Sequence, residues 1–317
     1  MRRISCPPLI SKLLLIPLVF CFALYAGEPS ETPEATSLLG RQLYQQEIPG
    51  EQRVKLEEAL ARARSDFETN PGDADAAIWL GRRTAYLARY RDAIAIYSRA
   101  LEAHPADARL YRHRGHRYLT IRELGLAIAD FETAARLTAG QPDEVEPDGQ
   151  PNPKNIPTST LQTNLWYHLG LARYLKGEFE QARRAFAACH SHSTNDDMRV
   201  AAANWLYLSL RRSGRDAEAA ALLDTIASEM DLIENFEYHT LLLLHKGVKS
   251  PESVLGEAGE ALGQATLGYG VGAFHLLNDQ PEKAREVFER VLENPQWAAF
   301  GYLAAEAELA HGLRLHR

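Results

Sequence analysis

LGRRTAYLARYRDAIAIYSRALEAHP, residues 80–105, is followed 34 positions later by RGHRYLTIRELGLAIADFETAARLTA, residues 114–139, and the register between the two stretches decides the fold. Gly81 maps onto Gly115, Ala93 onto Ala127, Tyr97 onto Phe131 and Ala100 onto Ala134, with Pro71 and Pro105 at the same interval. A further shift of 55 carries Tyr111 onto Trp166, Gly115 onto Gly170, Ala127 onto Ala182 and Phe131 onto Phe186, which is the same period lengthened by one insertion of 21 residues. Small residues have a physical task in such a pattern. Two antiparallel helices approach closely only where a Gly or Ala on one faces a bulky side chain on the other. Gly81, Gly115 and Gly170 supply the gaps, and Tyr97, Phe131 and Phe186 are the large partners, filling space toward the next hairpin. Pro105 follows a helix end, where its missing donor costs nothing.

The residues that carry this pattern are Leu80, Gly81, Ala93, Tyr97, Ala100 and Pro105 in one copy and Tyr111, Gly115, Tyr118, Ala127, Phe131 and Ala134 in the next. Trp166, Leu169, Gly170, Ala182 and Phe186 make a third, with a helix-joining turn at Lys176 and Gly177. In these positions the chain resembles the tetratricopeptide repeat family. Fainter copies follow: a shift of 37 takes Gly177 to Gly214, Ala182 to Ala219 and Phe186 to Leu223, and Ala284 and Phe288 in EKAREVFERVLENP resemble another second helix. Asn235 to Lys246 with Pro251 to Gly263 reads as a degenerate hairpin, Ser37 to Tyr44 with Gln52 to Glu68 as another, and Trp297 to Leu315 as a terminal helix over the last apolar edge. The resemblance implies an all-α chain: a right-handed α-solenoid of about six hairpins with a C-terminal capping helix and a concave inner wall. The expected organisation is a signal peptide at 1–26, a polar linker at 27–36, a degenerate first hairpin at 37–70, two strong repeats at 71–139, an insertion at 140–160, and further hairpins plus the capping helix at 161–315.

A chain of 317 residues, 45% hydrophobic and 24% charged, has the composition of a folded protein rather than a disordered one. Residues 1–26 hold Arg2, Arg3 and Lys12 but no acid, so their removal takes the net charge from −7 to −10. A mildly acidic chain argues against non-specific binding to nucleic acid or anionic membranes. Arg2 and Arg3 precede an apolar run from Leu13 to Ala26 that is short for a membrane span and ends at small Ala26, the form of an export signal. The chain is therefore expected to be exported, periplasmic or secreted; an uncleaved anchor is the alternative, and the only one that would place it on a membrane. Once Cys6 and Cys21 leave with the leader, Cys189 has no partner for an internal disulfide, and its neighbours Phe186, Ala187 and Ala188 mark it as a small buried residue.

One stretch interrupts the array. GQPDEVEPDGQPNPKNIPTST, residues 140–160, is rich in acid and in proline (Pro142, Pro147, Pro151, Pro153 and Pro157), and reads either as a disordered spacer or as an ordered lid, with Ser159 or Thr160 capping the following helix. In tetratricopeptide proteins the first helix of each hairpin lines the binding groove. The resemblance thus nominates Ile78, Arg82 and Tyr86; Arg109, Arg112 and His116; Asn164, Tyr167 and Tyr174; and Asn204, Leu208 and Arg211. Arg offers a planar fork of donors and Asn a donor and an acceptor, so the implied partner is a protein or peptide bearing carboxylates. A solvated helix face is the competing reading of the same residues. The Lys and Asn carboxylate clamp of some family members has no counterpart here, and oligomeric state is left open.

Catalytic and metal-binding patterns are sparse. His113 and His116 lie three apart on one helix, and His190 and His192 precede Asp196 and Asp197, but spacing supplies no third ligand to either pair, so neither metal nor cofactor is expected. No nucleophile elbow, phosphate loop or HExxH helix occurs, and GYGVG at 268–272 fits a close helix crossing better than a dinucleotide loop. The alternative to a binding scaffold is an enzyme or metal-binding protein with its site beneath the insertion, drawing on Asp143, Glu144, Glu146 or Asp148 with His113 or His116.

Overall fold

A computed structural model describes residues 32–313; the expected leader at 1–26 lies outside the described residues. Within them the chain is built of helices, apart from one short β-hairpin. Six helical hairpins follow one another: α2 (Ala74–Tyr86) with α3 (Tyr90–Ala103), α4 (Ala108–Thr120) with α5 (Leu124–Leu137), α6 (Leu161–Leu175) with α7 (Phe179–His192), α8 (Asp196–Arg212) with α9 (Asp216–Asp224), α10 (Phe236–His245) with α11 (Pro251–Gly256), and α12 (Ala261–Leu277) with α13 (Pro281–Val291). A single helix α1 (Gly50–Thr69) leads the array and α14 (Phe300–Ala310) ends it. The first helices begin on side-chain caps: Asp73, Asp107, Thr160 and Asn195 each accept a backbone N–H from the opening turn of α2, α4, α6 and α8.

The first three hairpins are closed by the same contact. Gly115 lies under the Phe131 ring and Gly170 under the Phe186 ring, where a Cβ would come within 2.9 and 2.7 Å of ring carbons, and Gly81 meets the Tyr97 ring more closely still. The large residue therefore seats on the glycine of its own hairpin. Its outer side faces the next one: Tyr97 stacks on His113 at 5.8 Å, Phe131 on His168 at 5.9 Å and Phe186 on Trp205 at 6.1 Å. Ala93, Ala127 and Ala182 are fully buried alongside. GYGVG repeats this arrangement inside α12, with Gly268 against Val291, Gly270 against Leu241 and Gly272 against Phe288.

The turns between paired helices also repeat. A residue with positive φ stands at Ala88, Arg122, Gly177, Gly214 and Asp279. Glycine is the unstrained choice there. Arg122 is retained with φ 68° because its side chain is used: the guanidinium donates to the Thr120 carbonyl at 2.6 Å, to the Trp297 carbonyl at 2.9 Å and to Glu306 at 3.0 and 3.2 Å.

The structure departs from expectation at two places. Ser37 to Tyr44 does not supply the first helix of a hairpin; β1 (Ala35–Thr36) and β2 (Gln42–Leu43) pair antiparallel there around Gly40, so α1 has no helical partner before it. The five residues between the strands, 37–41, include Gly40 with φ 82°, which favours a turn over helix. The second departure concerns α14. It packs on α12 and α13, and it also runs into the concave side of the array, against α6. Its residues Gly301 to Glu308 are buried on every side, as befits the sequence GYLAAEAE, which has no polar face beyond two glutamates. Those two are matched: Glu306 pairs with Arg122 and accepts the Leu38 N–H, and Glu308 pairs with Arg212. Trp297 donates its indole N–H to the Tyr44 carbonyl and packs edge-on against Tyr90 at 5.5 Å, so the two ends of the described chain meet.

Two stability measurements test this construction. Gly170→Ala forces a methyl into the Phe186 ring and is expected to lower the free energy of unfolding by about 1–3 kcal/mol in urea titrations. Glu306→Ala strands a buried guanidinium and is expected to cost about 3–5 kcal/mol in the same assay; a loss below about 0.5 kcal/mol, typical of exposed sites, would show that Arg122 reaches solvent in solution.

Candidate functional site

The insertion at 140–160 is ordered and lies over the first helices of the repeats. Its two arms pair: Val145 bridges Thr160, the Glu146 N–H donates to the Ser159 carbonyl at 3.2 Å and the Leu161 N–H to the Glu144 carbonyl at 2.8 Å. Thr160 caps α6 reciprocally with Thr163, and the Asp143 carboxylate accepts the Gln162 N–H at 3.0 Å. At the far end the Arg83 guanidinium donates to the Gly149 carbonyl at 2.7 Å, and Gly149 sits so close to the Tyr86 hydroxyl that no side chain would fit. Asn195 of the next repeat donates to the Thr158 carbonyl at 2.7 Å.

Between this cover and the helices is a cavity of about 280 Å³. Its floor is cationic: Arg82 from α2, and Arg112 and Arg117 from α4, with His113 and His116 beside them. Its roof contributes Glu146, and Asp148 and Glu234 stand at the rim. Arg82 and Arg112 are only 9% and 6% exposed. Arg112 Nε lies 3.0 Å from the Glu146 carboxylate, yet this N–H makes no well-directed hydrogen bond, and the other side of the fork contacts His113 Nδ1 at 3.0 Å. The same Glu146 oxygen accepts from Asn164 Nδ2 at 3.1 Å, and its other oxygen is 3.8 Å from His113 Nε2. Among the described residues no carboxylate pairs with Arg82 or Arg117. Arg82 reaches only the Tyr86 hydroxyl, at 3.4 Å, and the face of Trp79.

Burial decides the protonation of the imidazoles. His113, His116 and His168 are all held well below the ordinary histidine range, first by loss of water and then by the neighbouring arginines. The His116 and His168 rings lie tilted by 42° with centroids 4.1 Å apart, a contact open to neutral rings and unfavourable to two cations, and His116 Nδ1 has no hydrogen-bond partner. Burial also lowers the Arg112 pKa, and Glu146 works against that shift.

Of the residues nominated from the sequence, the structure brings Arg82, Tyr86, Arg112, His116 and Asn164 together around this cavity. Arg109 stands outside it, paired with Asp107 and Asp75, and Ile78 is buried at an adjoining cleft. The remaining residues do not face an open groove. Tyr167 is bonded to the Tyr238 hydroxyl and the Trp205 indole, Tyr174 to the Tyr269 hydroxyl, Asn204 and Leu208 are 1% exposed, and Arg211 pairs with Asp216. The reason is that α10, α12 and α14 pack against the inner faces of α6 and α8 and occupy the space a groove would need. The sequence reading missed Arg117, which lies one helical turn from His113 and lines the cavity, and His168, which stands two residues before Gly170 as His113 does before Gly115 and packs behind His116.

Of the four acids in the insertion, only Glu146 reaches a histidine; Asp143 is spent on the α6 cap and Glu144 is exposed. Asp197, near His190 and His192, accepts the backbone N–H groups of Ile233, Glu234 and Asn235 and so shapes the approach to α10. Among the described residues no group of three or more His, Cys, Asp or Glu side chains is placed to hold a metal ion. The Cys189 thiol is buried against the Thr163 carbonyl and pushed up to about 12, which keeps it protonated. None of the described helices is long and apolar enough to cross a membrane.

No family model matches the sequence, and no curated protein is significantly similar to it. Solved structures are similar in fold. A tetratricopeptide repeat protein from Parabacteroides merdae superposes with a TM-score of 0.50 at 16% identity, over 81% of this chain and 93% of that one. YrrB, described as a tetratricopeptide protein with an unusual peptide-binding site, aligns with a TM-score of 0.42 at 19% identity, over 78% of this chain and 97% of that one. The hairpins and the first of these similarities define the class: an all-α helical repeat protein with the tetratricopeptide fold.

The histidines make stability depend on pH. In the unfolded chain they titrate near 6.5, whereas in the fold they stay neutral, so below that pH the unfolded state binds more protons. Stability is expected to be full above about pH 7 and to fall as the pH drops through about 6. His168→Phe, which keeps a ring against Phe131 and Phe300, should flatten that slope in urea titrations repeated across the range.

Proposed function

We propose that this chain is a binding scaffold, and that its ligand is a protein or peptide segment that delivers a carboxylate to the cavity between α2, α4, α6 and the insertion. The observation that carries the reading is the charge imbalance: three arginines face the cavity, two of them at least nine-tenths buried, and only one is matched by a carboxylate. A buried unpaired guanidinium is costly unless an anion completes it, and Arg offers the geometry for a carboxylate. The partner does not lie along the whole inner wall, since α14 and the insertion occupy it; it reaches the cavity by its acidic side chain. The repeat fold and the peptide-binding description attached to YrrB support the choice of partner class. The leader with Arg2, Arg3 and its apolar run supports placement outside the cytoplasm.

Selection from a random peptide library tests this reading. Peptides retained by the wild-type protein are expected to be enriched in Asp and Glu, and Arg82→Gln, a substitution at a site that bonds only weakly within the fold, should remove that enrichment while leaving the helical circular dichroism intact. Retention of the same peptides by wild type and Arg82→Gln would overturn the assignment.

A further inference from the structure

The cavity has two cationic halves in different states. In the first, Arg112 and Asn164 already hold a carboxylate, that of Glu146, which the insertion lowers onto them. In the second, Arg82 and Arg117 have no carboxylate, and His116 Nδ1 beside them is buried with no partner. The occupied half is imperfectly filled. Glu146 meets the Arg112 fork off the direction of its Nε–H and makes no bidentate contact, whereas a carboxylate approaching freely can accept two parallel N–H bonds from one guanidinium. Glu146 is also held on a segment tied to the rest of the fold at separate points rather than by continuous packing: Arg83 to Gly149, Asn195 to Thr158, Thr158 to Glu234, Asn164 to Ser159 and Gln162 to Asp143, besides the short pairing of its own arms. Such a segment can lift without disturbing the hairpins.

Resting on the binding reading above, we infer that the ligand presents two acidic groups, one completing Arg82 and Arg117 and the other displacing Glu146 from Arg112 and Asn164, so that Glu146 is a built-in competitor that keeps the insertion closed until a diacid arrives. A single carboxylate satisfies the open half and leaves Glu146 in place. Two acidic groups match the two donor sets, one for Arg82 with Arg117 and one for Arg112 with Asn164. The other titratable groups facing the site are Asp148 and Glu234 at the rim and the neutral imidazoles of His113 and His116, with His168 packed behind His116. Two neighbouring acidic side chains of a peptide and a short free diacid share this chemistry.

Calorimetric titration of the full chain distinguishes the possibilities, using glutarate, butyrate, and a blocked peptide with two adjacent glutamates as probes. Glutarate or the diglutamate peptide is expected to bind at least about tenfold tighter than butyrate. Glu146→Gln should tighten that diacid by roughly tenfold, since the open state no longer competes with an internal carboxylate, and leave butyrate almost unchanged. The probe that responds identifies the source of the diacid. Lys154, exposed in the insertion, reports the lid directly. Tryptic cleavage there should accelerate as the diacid is added to wild type, and should be fast in Glu146→Gln without it. Equal affinities of Glu146→Gln and wild type, or cleavage at Lys154 indifferent to both the substitution and the diacid, would overturn the exchange. If acidic peptides are nevertheless retained through Arg82, the binding reading stands and only the two-group assignment falls.

Discussion

The seat of one aromatic ring on one glycine, used in hairpin after hairpin, is the constraint from which the rest of the molecule follows. Tyr97 on Gly81, Phe131 on Gly115 and Phe186 on Gly170 bring paired helices close enough to share a ring, and the exposed side of that ring then becomes the seat for His113, His168 or Trp205 of the next pair. The ladder of rings fixes both the spacing within a hairpin and the rotation between hairpins. It also explains why histidines are tolerated in so dry a place. His113 and His168 stand where the next repeat presents Trp205, so they are ring partners before they are anything else, and loss of water keeps them neutral in that role.

Curvature is the second consequence. An array that turns about an inner wall must fill that wall or leave it wet, and here the chain fills it with its own segments. α14 enters as an almost apolar rod carrying two glutamates, and each glutamate is met by an arginine at a turn or helix end, Arg122 after α4 and Arg212 at the end of α8. Pairs so deeply buried contribute little net stability, because desolvation offsets their attraction, but they are strict about position. A helix of alanines and leucines can slide along a groove; one whose two charges must find two guanidinia cannot. Arg122 accepts a left-handed backbone for this purpose, which marks the pair as a registry device rather than a decorative contact.

The repeat periodicity was legible because it rests on residue size, which a sequence displays directly. Gly115, Ala127 and Phe131 can be read at their offsets without knowing anything of the surroundings. The fate of the inner wall could not be read that way. Tyr167, Tyr174 and Asn204 carry the features of groove residues, and what buries them comes from about a hundred residues further along the chain, where Tyr269 and the Glu308 helix return to the inner face. Likewise Ser37 to Tyr44 has the apolar content of a helix turn, and only Gly40 with its positive φ hints at the β-turn that the structure adopts. The insertion sat between two readings for the same reason: its prolines stiffen it in either case, and its order depends on Arg83, Asn164 and Asn195, which lie outside it.

Filling the inner wall also concentrates what function remains. Wherever α12 and α14 press on the first helices, polar side chains are consumed in internal bonds: Arg212 by Glu308, Arg211 by Asp216, Tyr174 by Tyr269. Only between α2, α4 and α6 does an insertion, rather than a helix, form the cover. A helix seals by continuous side-chain packing along its length, whereas a proline-rich strap touches at a few points and leaves volume beneath it. That difference in cover, more than any difference among the arginines themselves, is why Arg82 and Arg117 are left without anions while Arg122 and Arg212 are not. Of the strap's acids, Glu146 reaches Arg112, Asp148 stands at the rim, Asp143 caps α6 and Glu144 is exposed. Fixed donors on rigid helices, facing a carboxylate held by a strap that touches them at separate points, are the geometry on which the proposed exchange of Glu146 for an incoming acid rests.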